Sequence, residues 1–228
     1  VQKYGGASVA VQLSPEMACE EAWLLATFIR SIAPEATLVL GDVHTVGEKE
    51  RFPVGCEPGS EKFIIQNEKN PNKRGIETIM KGLGGQTTWA EDFHQRAAAG
   101  EFKGIWIVGG YPKAGWASET LLKAAGVAEL LVVQDIFPSA LVEPAEVVLP
   151  MCAWTEREGT FMNHMDRLQP FARAVMPPEG AQSDGQFLFA LAGHSGLYTG
   201  ERVREMMAAK MPVFAQLHVP PVKPLHQH

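Results

Sequence analysis

The predicted fold depends above all on Leu130-Leu-Val-Val-Gln-Asp-Ile-Phe-Pro-Ser-Ala-Leu-Val-Glu-Pro-Ala-Glu-Val-Val-Leu-Pro150. It opens with the short apolar run Leu130–Val133, which is typical of a strand buried on both faces of a parallel sheet. Gln134 and Asp135 then place polar groups at the carboxyl end of that strand, where open parallel sheets bind their ligands. A second apolar run, Val147–Leu149, stops at a proline and predicts a strand near the edge of the sheet.

The next polar segment is Glu156-Arg-Glu-Gly-Thr-Phe-Met-Asn-His-Met-Asp-Arg-Leu-Gln169. Gly159 permits a tight turn. Thr160, Asn163 and Arg167 supply hydrogen-bonding groups around that turn. The segment therefore predicts a second cluster of polar side chains after the sheet.

Together these stretches resemble the molybdopterin oxidoreductase family. That family reads Asp-x-Phe after a strand, then Ala-Asp-Val-Val-Leu-Pro, then Glu-x-x-Gly-Thr-x-x-Asn-x-x-x-Arg-x-Gln. The matching residues of this chain are Asp135, Phe137, Ser139, Ala145–Pro150, Glu156, Gly159, Thr160, Asn163, Arg167 and Gln169. The resemblance and the order of the predicted elements both imply an α/β fold, a Rossmann-like parallel sheet with helices on both faces.

A loop before the second predicted helix resembles one particular branch of this family. Lys69-Asn-Pro-Asn-Lys-Arg-Gly75 and the helical stretch Cys19–Leu25 are similar to the C-terminal part of the large iron–sulfur subunit of NADH–quinone oxidoreductase (complex I). The loop also places Lys69, Lys73 and Arg74 beside the end of a strand. Two interpretations stay open, a site for an anionic group and a solvated turn.

The strand predicted at Gly104–Val108 enters a glycine turn. Gly109 and Gly110 would let the backbone approach a ligand closely. A helix predicted at Ala117–Ala125 would direct its N-terminus into the same crevice, which favours a phosphate. In the resembled family the matching turn is Gly-x-Asn-Pro and contacts the guanine dinucleotide end of the cofactor, and Tyr111 replaces that Asn here.

The resemblance implies a crevice for molybdopterin guanine dinucleotide, if this chain binds that cofactor. The residues implied to line it are Gly109, Gly110, Tyr111, Gln134, Asp135, Ser139, Gly159, Thr160, Asn163 and Arg167. We assign no catalytic residue and no metal ligand to this sequence. The resemblance implies that the ligand to the cofactor metal and the cysteines of any iron–sulfur clusters lie in a preceding part of a longer parent chain.

Composition excludes several function classes. A net charge of -6 argues against a nucleic-acid-binding surface. No apolar run approaches the roughly 18 residues of a membrane span, so we expect no direct membrane insertion. Cys19, Cys56 and Cys152 are widely spaced, which argues against disulfides, zinc sites and iron–sulfur sites and favours a reduced cytoplasmic compartment.

The remaining predictions concern organisation. Further predicted elements are a helix beginning at Ser14-Pro15-Glu16, strands Thr37–Leu40 and Phe63–Gln66, a loop over residues 44–61, and helices at 76–82, Thr88–Ala99, Gln186–Ala192 and Thr199–Lys210. We expect residues 1–145 to form the Rossmann-like domain. Residues 146–228 would form a return segment to a neighbouring domain, two C-terminal helices and a Pro-rich tail, in which His226 and His228 are expected to be free of metal.

The leading hypothesis is a scaffold portion of a complex I-type large subunit that supports electron transfer from NADH through iron–sulfur clusters to quinone. Tyr111, Ala140 and Leu141 motivate it, since they replace polar residues of the resembled family. Its partners would be other subunits of a redox complex at the inner face of the cell membrane. The alternative is the cofactor-binding half of an active molybdenum or tungsten oxidoreductase, such as a formate dehydrogenase-like enzyme. A third, a nucleotide-binding enzyme outside the family, rests only on the turn at Val108–Pro112.

Overall fold

The computed structural model describes residues 1–179 and 182–217. Its strands are β1 (Val9–Leu13), β2 (Thr37–Leu40), β3 (Glu50–Phe52), β4 (Phe63–Ile65), β5 (Thr87–Trp89), β6 (Gly104–Val108), β7 (Leu130–Asp135), β8 (Val147–Pro150), β9 (Gly159–Met162) and β10 (Leu168–Phe171). Its α-helices are α1 (Cys19–Ile32), α2 (Lys73–Leu83), α3 (Ala90–Ala98), α4 (Glu119–Val127), α5 (Asp184–Leu191) and α6 (Gly200–Lys210).

Six strands form the central sheet in the order β5-β2-β1-β6-β7-β8, and all of their pairings are parallel. The chain moves outward from β1 through β2 to β5 and then returns to pair β6 with β1. The strand order therefore reverses between β1 and β6, which is a topological switch point. This confirms the predicted Rossmann-like sheet, with β8 at its edge as expected.

Helices cover both faces of the sheet, as predicted. On one face, Val11 and Leu13 of β1 pack in one apolar cluster with α1, α2, α5 and α6. On the other face, Ala10 of the same strand packs in a second cluster with α3 and α4. Phe93 of α3 and Phe102 are fully buried there, and burying each side chain contributes about 1.5–3 kcal/mol.

The first helix begins later than its sequence suggests. Ser14-Pro15-Glu16 has the composition of a helix start, but it forms a turn in which the Ser14 hydroxyl accepts a hydrogen bond from the Glu16 amide at 3.1 Å. The helix begins at Cys19, where the Glu21 carboxylate accepts a hydrogen bond from the Ala18 amide at 2.9 Å. The prediction was wrong because the glutamate supplies the cap inside the helix.

The predicted strand Phe63–Gln66 does not belong to the parallel sheet. Its first three residues form β4, which pairs antiparallel with β3 inside the region predicted as a loop. Phe52 and Phe63 stack with ring centroids 4.7 Å apart. We call residues 44–68 the arm. Its two ends are joined by the Val46 amide, which donates to the Asn67 carbonyl at 2.9 Å, and by a bridge between Thr45 and Glu68.

Two strands of the central sheet were not predicted. One is β1, which lies between β2 and β6. The other is β5, whose residues Thr87–Trp89 had been placed partly in a helix, so that α3 begins at Ala90 rather than Thr88. Trp89, the last residue of β5, is 56% exposed.

Arg30 joins the end of α1 to two neighbouring connections. Its guanidinium donates to the carbonyls of Pro34 at 3.0 Å, Gly84 at 2.8 Å and Gln86 at 2.9 Å, and also to that of Ala36. Gly84 caps α2 at a φ of 65°. One side chain therefore fixes the approach to both β2 and β5.

The C-terminal helices lie where they were predicted and pack on α1. The Pro-rich tail with His226 and His228 lies outside the described residues. Strand β8 pairs with β7 in the central sheet, and a division of the parent protein near residue 145 stays a prediction. None of the helices in residues 1–179 and 182–217 is both long and apolar enough to cross a membrane.

Candidate functional site

A crevice lies at the carboxyl ends of the strands near the switch point, where open α/β sheets bind ligands. Its volume is about 500 Å³, and the loops after β1, β2 and β6 line it together with the end of the arm. Lys69 and Lys113 bring positive charge to the walls, His44 brings an imidazole, and Glu16 and Asp42 bring carboxyl groups.

The glycine turn after β6 is closed by Asp135. Its Oδ1 accepts a hydrogen bond from the Gly110 amide at 3.0 Å, and its Oδ2 accepts one from the Trp116 indole at 2.8 Å. The Gly109 amide donates to the Gln134 carbonyl at 2.7 Å. A Cβ added to Gly109 would lie 2.7 Å from the Asp135 carboxylate. Gly109 therefore permits a close approach of the backbone to Asp135.

Tyr111 occupies the position where the resembled family has Asn. Its hydroxyl donates to the Asp42 carbonyl at 2.7 Å, and its ring lies 4.5 Å from that of Trp116 at an interplanar angle of 30°. Burial raises the pKa of Tyr111 well above its usual value, so the phenol stays neutral. The aromatic pair fills the turn that faces the crevice.

Gln134 and Ser139 are buried and do not line this crevice. The Gln134 side chain is 1% exposed, and its Nε2 donates to Asp184 at 2.6 Å. Ser139 is also buried, and its hydroxyl has no hydrogen-bond partner within the described part of the chain.

The predicted turn residues after β8 have partners inside the fold. Thr160 donates to Glu20 of α1 twice, from its amide at 2.8 Å and from its hydroxyl at 2.6 Å. A Cβ on Gly159 would lie 2.5 Å from that of Ala18, so the glycine permits β9 to pack on α1. Asn163 closes the β9–β10 turn.

The side-chain oxygen of Asn163 is occupied by hydrogen bonds within the turn. Its Oδ1 accepts the Met165 amide at 2.9 Å and the Arg167 amide at 3.1 Å. The Arg167 side chain is exposed. Both residues thus belong to a surface hairpin.

The ten predicted residues are distributed over separate places. Tyr111, Gln134 and Asn163 line three different cavities. A dinucleotide requires free N–H donors or cations for its phosphates. The Gly110 amide already donates to Asp135, and the Gly109 amide donates to the Gln134 carbonyl. This set of residues therefore does not fit the cofactor that the resemblance implies, although the crevice itself carries Lys69 and Lys113.

Asn72 is a structural residue that sequence reasoning missed. Its amide donates to the Pro15 carbonyl at 3.0 Å, and its Nδ2 donates to the Met17 carbonyl at 2.7 Å. Its Oδ1 accepts the Met162 amide at 2.8 Å. The fully buried side chain thus joins the β1–α1 turn to β9. The sequence feature that could have indicated this role was the Pro-Asn pair within a polar loop.

The cations of the same loop are paired. Lys69 donates to the Gln66 carbonyl at 2.8 Å, Lys73 pairs with Glu68, and Arg74 pairs with Asp166 at 2.6 Å. Of the two interpretations left open above, these contacts favour the turn over the anion site.

A histidine–carboxylate pair lies at the wall of the crevice. His94 Nε2 is 3.7 Å from the Asp42 carboxylate and 3.3 Å from Gln12 Oε1. Burial raises the pKa of Asp42 and lowers that of His94, and the attraction between the two charged forms opposes both shifts. At this distance the two side chains attract each other without a direct hydrogen bond. Among the described residues, no group of three or more His, Cys, Asp or Glu side chains is arranged to hold a metal ion.

A buried ionic cluster was also missed. Arg157 pairs with Glu21 and donates to the Glu16 carbonyl at 2.9 Å. Arg204 lies 3.5 Å from Glu20. Consecutive glutamates inside an apolar helix were the sequence signal, but their partners lie far along the chain.

The comparisons with known proteins identify the family. The family model described as Molybdopterin oxidoreductase matches residues 64–194, which is more than half of the chain. The chain belongs to the molybdopterin oxidoreductase family. The resemblance recognised in the sequence is thereby confirmed, and it is carried by the segment from β4 to the end of α5.

Several curated relatives match at moderate identity. The NADPH-Fe(3+) oxidoreductase subunit alpha of Geobacter sulfurreducens is 34% identical over 123 residues, 52% of this chain and 15% of the relative. Formate dehydrogenase H of Escherichia coli is 32% identical over 136 residues, 59% of this chain and 19% of the relative. An NADH-quinone oxidoreductase subunit of Mycobacterium bovis is 33% identical over 120 residues, 50% of this chain and 15% of the relative. The matched segments thus span less than a fifth of these relatives.

Proposed function

We propose that this chain is a scaffold portion of the large subunit of a complex I-type NADH–quinone oxidoreductase. It would support electron transfer from NADH through iron–sulfur clusters, held elsewhere in the parent protein, to quinone. Its partners would be other subunits of the complex at the cytoplasmic face of the cell membrane. Residues 1–145 would form its Rossmann-like body, and residues 146–228 would lead to a neighbouring domain.

The observation that carries this proposal is the internal closure of the family's cofactor-facing turn. Asp135 accepts the Gly110 amide and the Trp116 indole, and Tyr111 replaces a polar family residue with a buried aromatic ring. Groups that are satisfied within the chain stabilise the fold without a ligand. The relative named as a subunit of an NADH-quinone oxidoreductase supports the same proposal.

The second candidate is the cofactor-binding half of an active molybdopterin oxidoreductase. The 500 Å³ crevice with Lys113 favours it, because a lysine near the first turn of α4 suits a phosphate group. The relative named formate dehydrogenase H supports it as well. In this case the cofactor would lie on the crevice side of the Tyr111–Trp116 pair.

Metal and pterin analysis of the intact parent protein, purified with its native partners, separates the two candidates. The scaffold proposal predicts iron and NADH oxidation without molybdenum, tungsten or fluorescent oxidised pterin. Molybdenum or tungsten at about one atom per chain, in step with pterin, would replace it with the second candidate. A known molybdenum enzyme processed in parallel shows that the purification retains a bound pterin.

A further inference from the structure

The buried ionic cluster carries unequal numbers of opposite charges. Its carboxylates are Glu20, Glu21 and Asp184, which are at most 1% exposed, and its guanidiniums are Arg157 and Arg204. With every group ionised, three negative charges would face two positive ones. A buried charge without a partner is strongly unfavourable, so such a group tends to bind a proton instead.

Two of the carboxylates are well supplied with hydrogen-bond donors. Asp184 accepts the Cys152 amide at 2.9 Å and the Gln134 amide group at 2.6 Å, and it lies in the first turn of α5, where the helix dipole favours an anion. Glu20 accepts two hydrogen bonds from Thr160. These donors favour the ionised form of both carboxylates and oppose the effect of burial, which raises both pKa values.

Glu21 differs from them. Both of its donors, the Ala18 amide and Arg157, contact Oε2. Its Oε1 is buried and has no hydrogen-bond partner among residues 1–179 and 182–217, and the same holds for Oε1 of Gln134. The cluster therefore contains two buried acceptor oxygens to which the described residues donate nothing.

We infer that Glu21 Oε1 is a proton-binding site that neutralises the excess charge of this cluster. The proton comes from solvent, an O–H bond forms at Oε1, and Arg157 remains paired through Oε2. A cavity of about 210 Å³, lined by Gln134 and Asp184, brings solvent-accessible space to the Asp184 side of the cluster. This inference does not depend on the proposed function.

The groups that face Glu21 allow its titration to be separated from theirs. Burial raises the pKa of Glu21 to about 7, and the attraction of Arg157 opposes the shift. Burial also raises the pKa of Cys152 to about 11 and that of Tyr198 well above its usual value, so both stay neutral near pH 7. Glu20 and Asp184 have pKa values raised by burial as well, and for this reason the test must resolve individual residues.

The site makes stability depend on pH in a defined direction. Because its pKa is raised on folding, Glu21 contributes stability that is fully present below its unfolded pKa of about 4.3. That contribution is lost as the pH rises through about 7. The folded chain accordingly binds more protons than the unfolded chain between these values.

The test is a carbon-13 NMR titration of the full chain, labelled at the glutamate carboxyl carbon, from about pH 4 to about pH 9. We expect the resonance that disappears in Glu21→Gln to titrate with a midpoint near 7. Glu50→Gln, on the exposed arm, is the matched control and should remove a different resonance. A midpoint for Glu21 at or below the ordinary value of about 4.3 overturns the inference.

A second measurement needs no variant and applies even if Glu21→Gln does not fold. The carboxyl resonance of Glu21 in the unmodified chain can be assigned by through-bond correlation to its own side-chain and backbone nuclei and followed over the same pH range. We expect the same midpoint near 7. A midpoint at or below about 4.3 for this assigned resonance overturns the inference.

Discussion

The Asp135 carboxylate accepts three hydrogen bonds, and Asp135→Ala is expected to destabilise the chain substantially. The donors are the Gly110 amide at 3.0 Å, the Ile136 amide at 2.8 Å and the Trp116 indole at 2.8 Å. Hydrogen bonds to a charged group contribute about 1.5–3 kcal/mol each, so three amount to about 4.5–9 kcal/mol. Trp116 and Ile136 are half-buried, so water can replace some of the hydrogen bonds that they lose. The expected loss of unfolding free energy is therefore about 3–5 kcal/mol.

Urea unfolding of the purified chain, followed by circular dichroism, measures this loss. Asp135→Asn keeps one acceptor oxygen but turns an amide toward the Trp116 donor, and should lose about 1–3 kcal/mol. Glu143→Ala, at an exposed position, should change stability by less than about 0.5 kcal/mol. A value for Asp135→Ala as small as that of this control would refute the account of Asp135 as the group that closes the turn.

Three further substitutions test other contacts. Asn72→Ala should lower the unfolding free energy by about 2–4 kcal/mol, because buried groups on the β1–α1 turn and β9 lose their partner; an unchanged urea midpoint would contradict this. Arg30→Lys should cost about 1–2 kcal/mol, since one ammonium cannot reach four carbonyls, and full stability by the same assay would argue against their importance. Gly110→Ala should cost about 1–3 kcal/mol, because its φ is 82° and the new Cβ would lie 2.8 Å from Met151 Sδ. Gly115→Ala, with open space around it, is its control, and equal effects would show that the turn is adaptable.

Strands β6 and β7 were predictable because their burial is visible in a local apolar run. Gly104–Val108 and Leu130–Asp135 are buried on both faces and bounded by turns, so local pattern and tertiary environment agree. Val9–Leu13 was missed although it lies within the sheet. Its run is interrupted by Gln12, which is fully buried beside His94. A polar residue that is satisfied by a distant partner cannot be distinguished locally from an exposed one.

The site was predictable in its positions but not in its contacts. Motif matching selected Asp135, Thr160 and Asn163, and all three are hydrogen-bonded residues at turns or strands of the fold. Thr160 bonds to Glu20, which lies 140 positions away, and Arg157 pairs with Glu21 at a separation of 136. Spacing along the sequence carries no information about such pairs. The family pattern therefore identified residues that matter and left open whether they face a ligand or the protein itself.

The pairing at the base of the arm affects where the chain tolerates insertions and deletions. The Lys69 amide donates to the His44 carbonyl at 2.9 Å, and the next pairs inward, Thr45 with Glu68 and Val46 with Asn67, hold the two segments side by side. The two segments that connect the arm to the central sheet therefore lie side by side at residues 44–46 and 67–69. Insertions, deletions or an attached label within residues 47–66 should therefore leave the sheet unaltered. The arm could accordingly be replaced by a segment of different length or sequence without disturbing the fold.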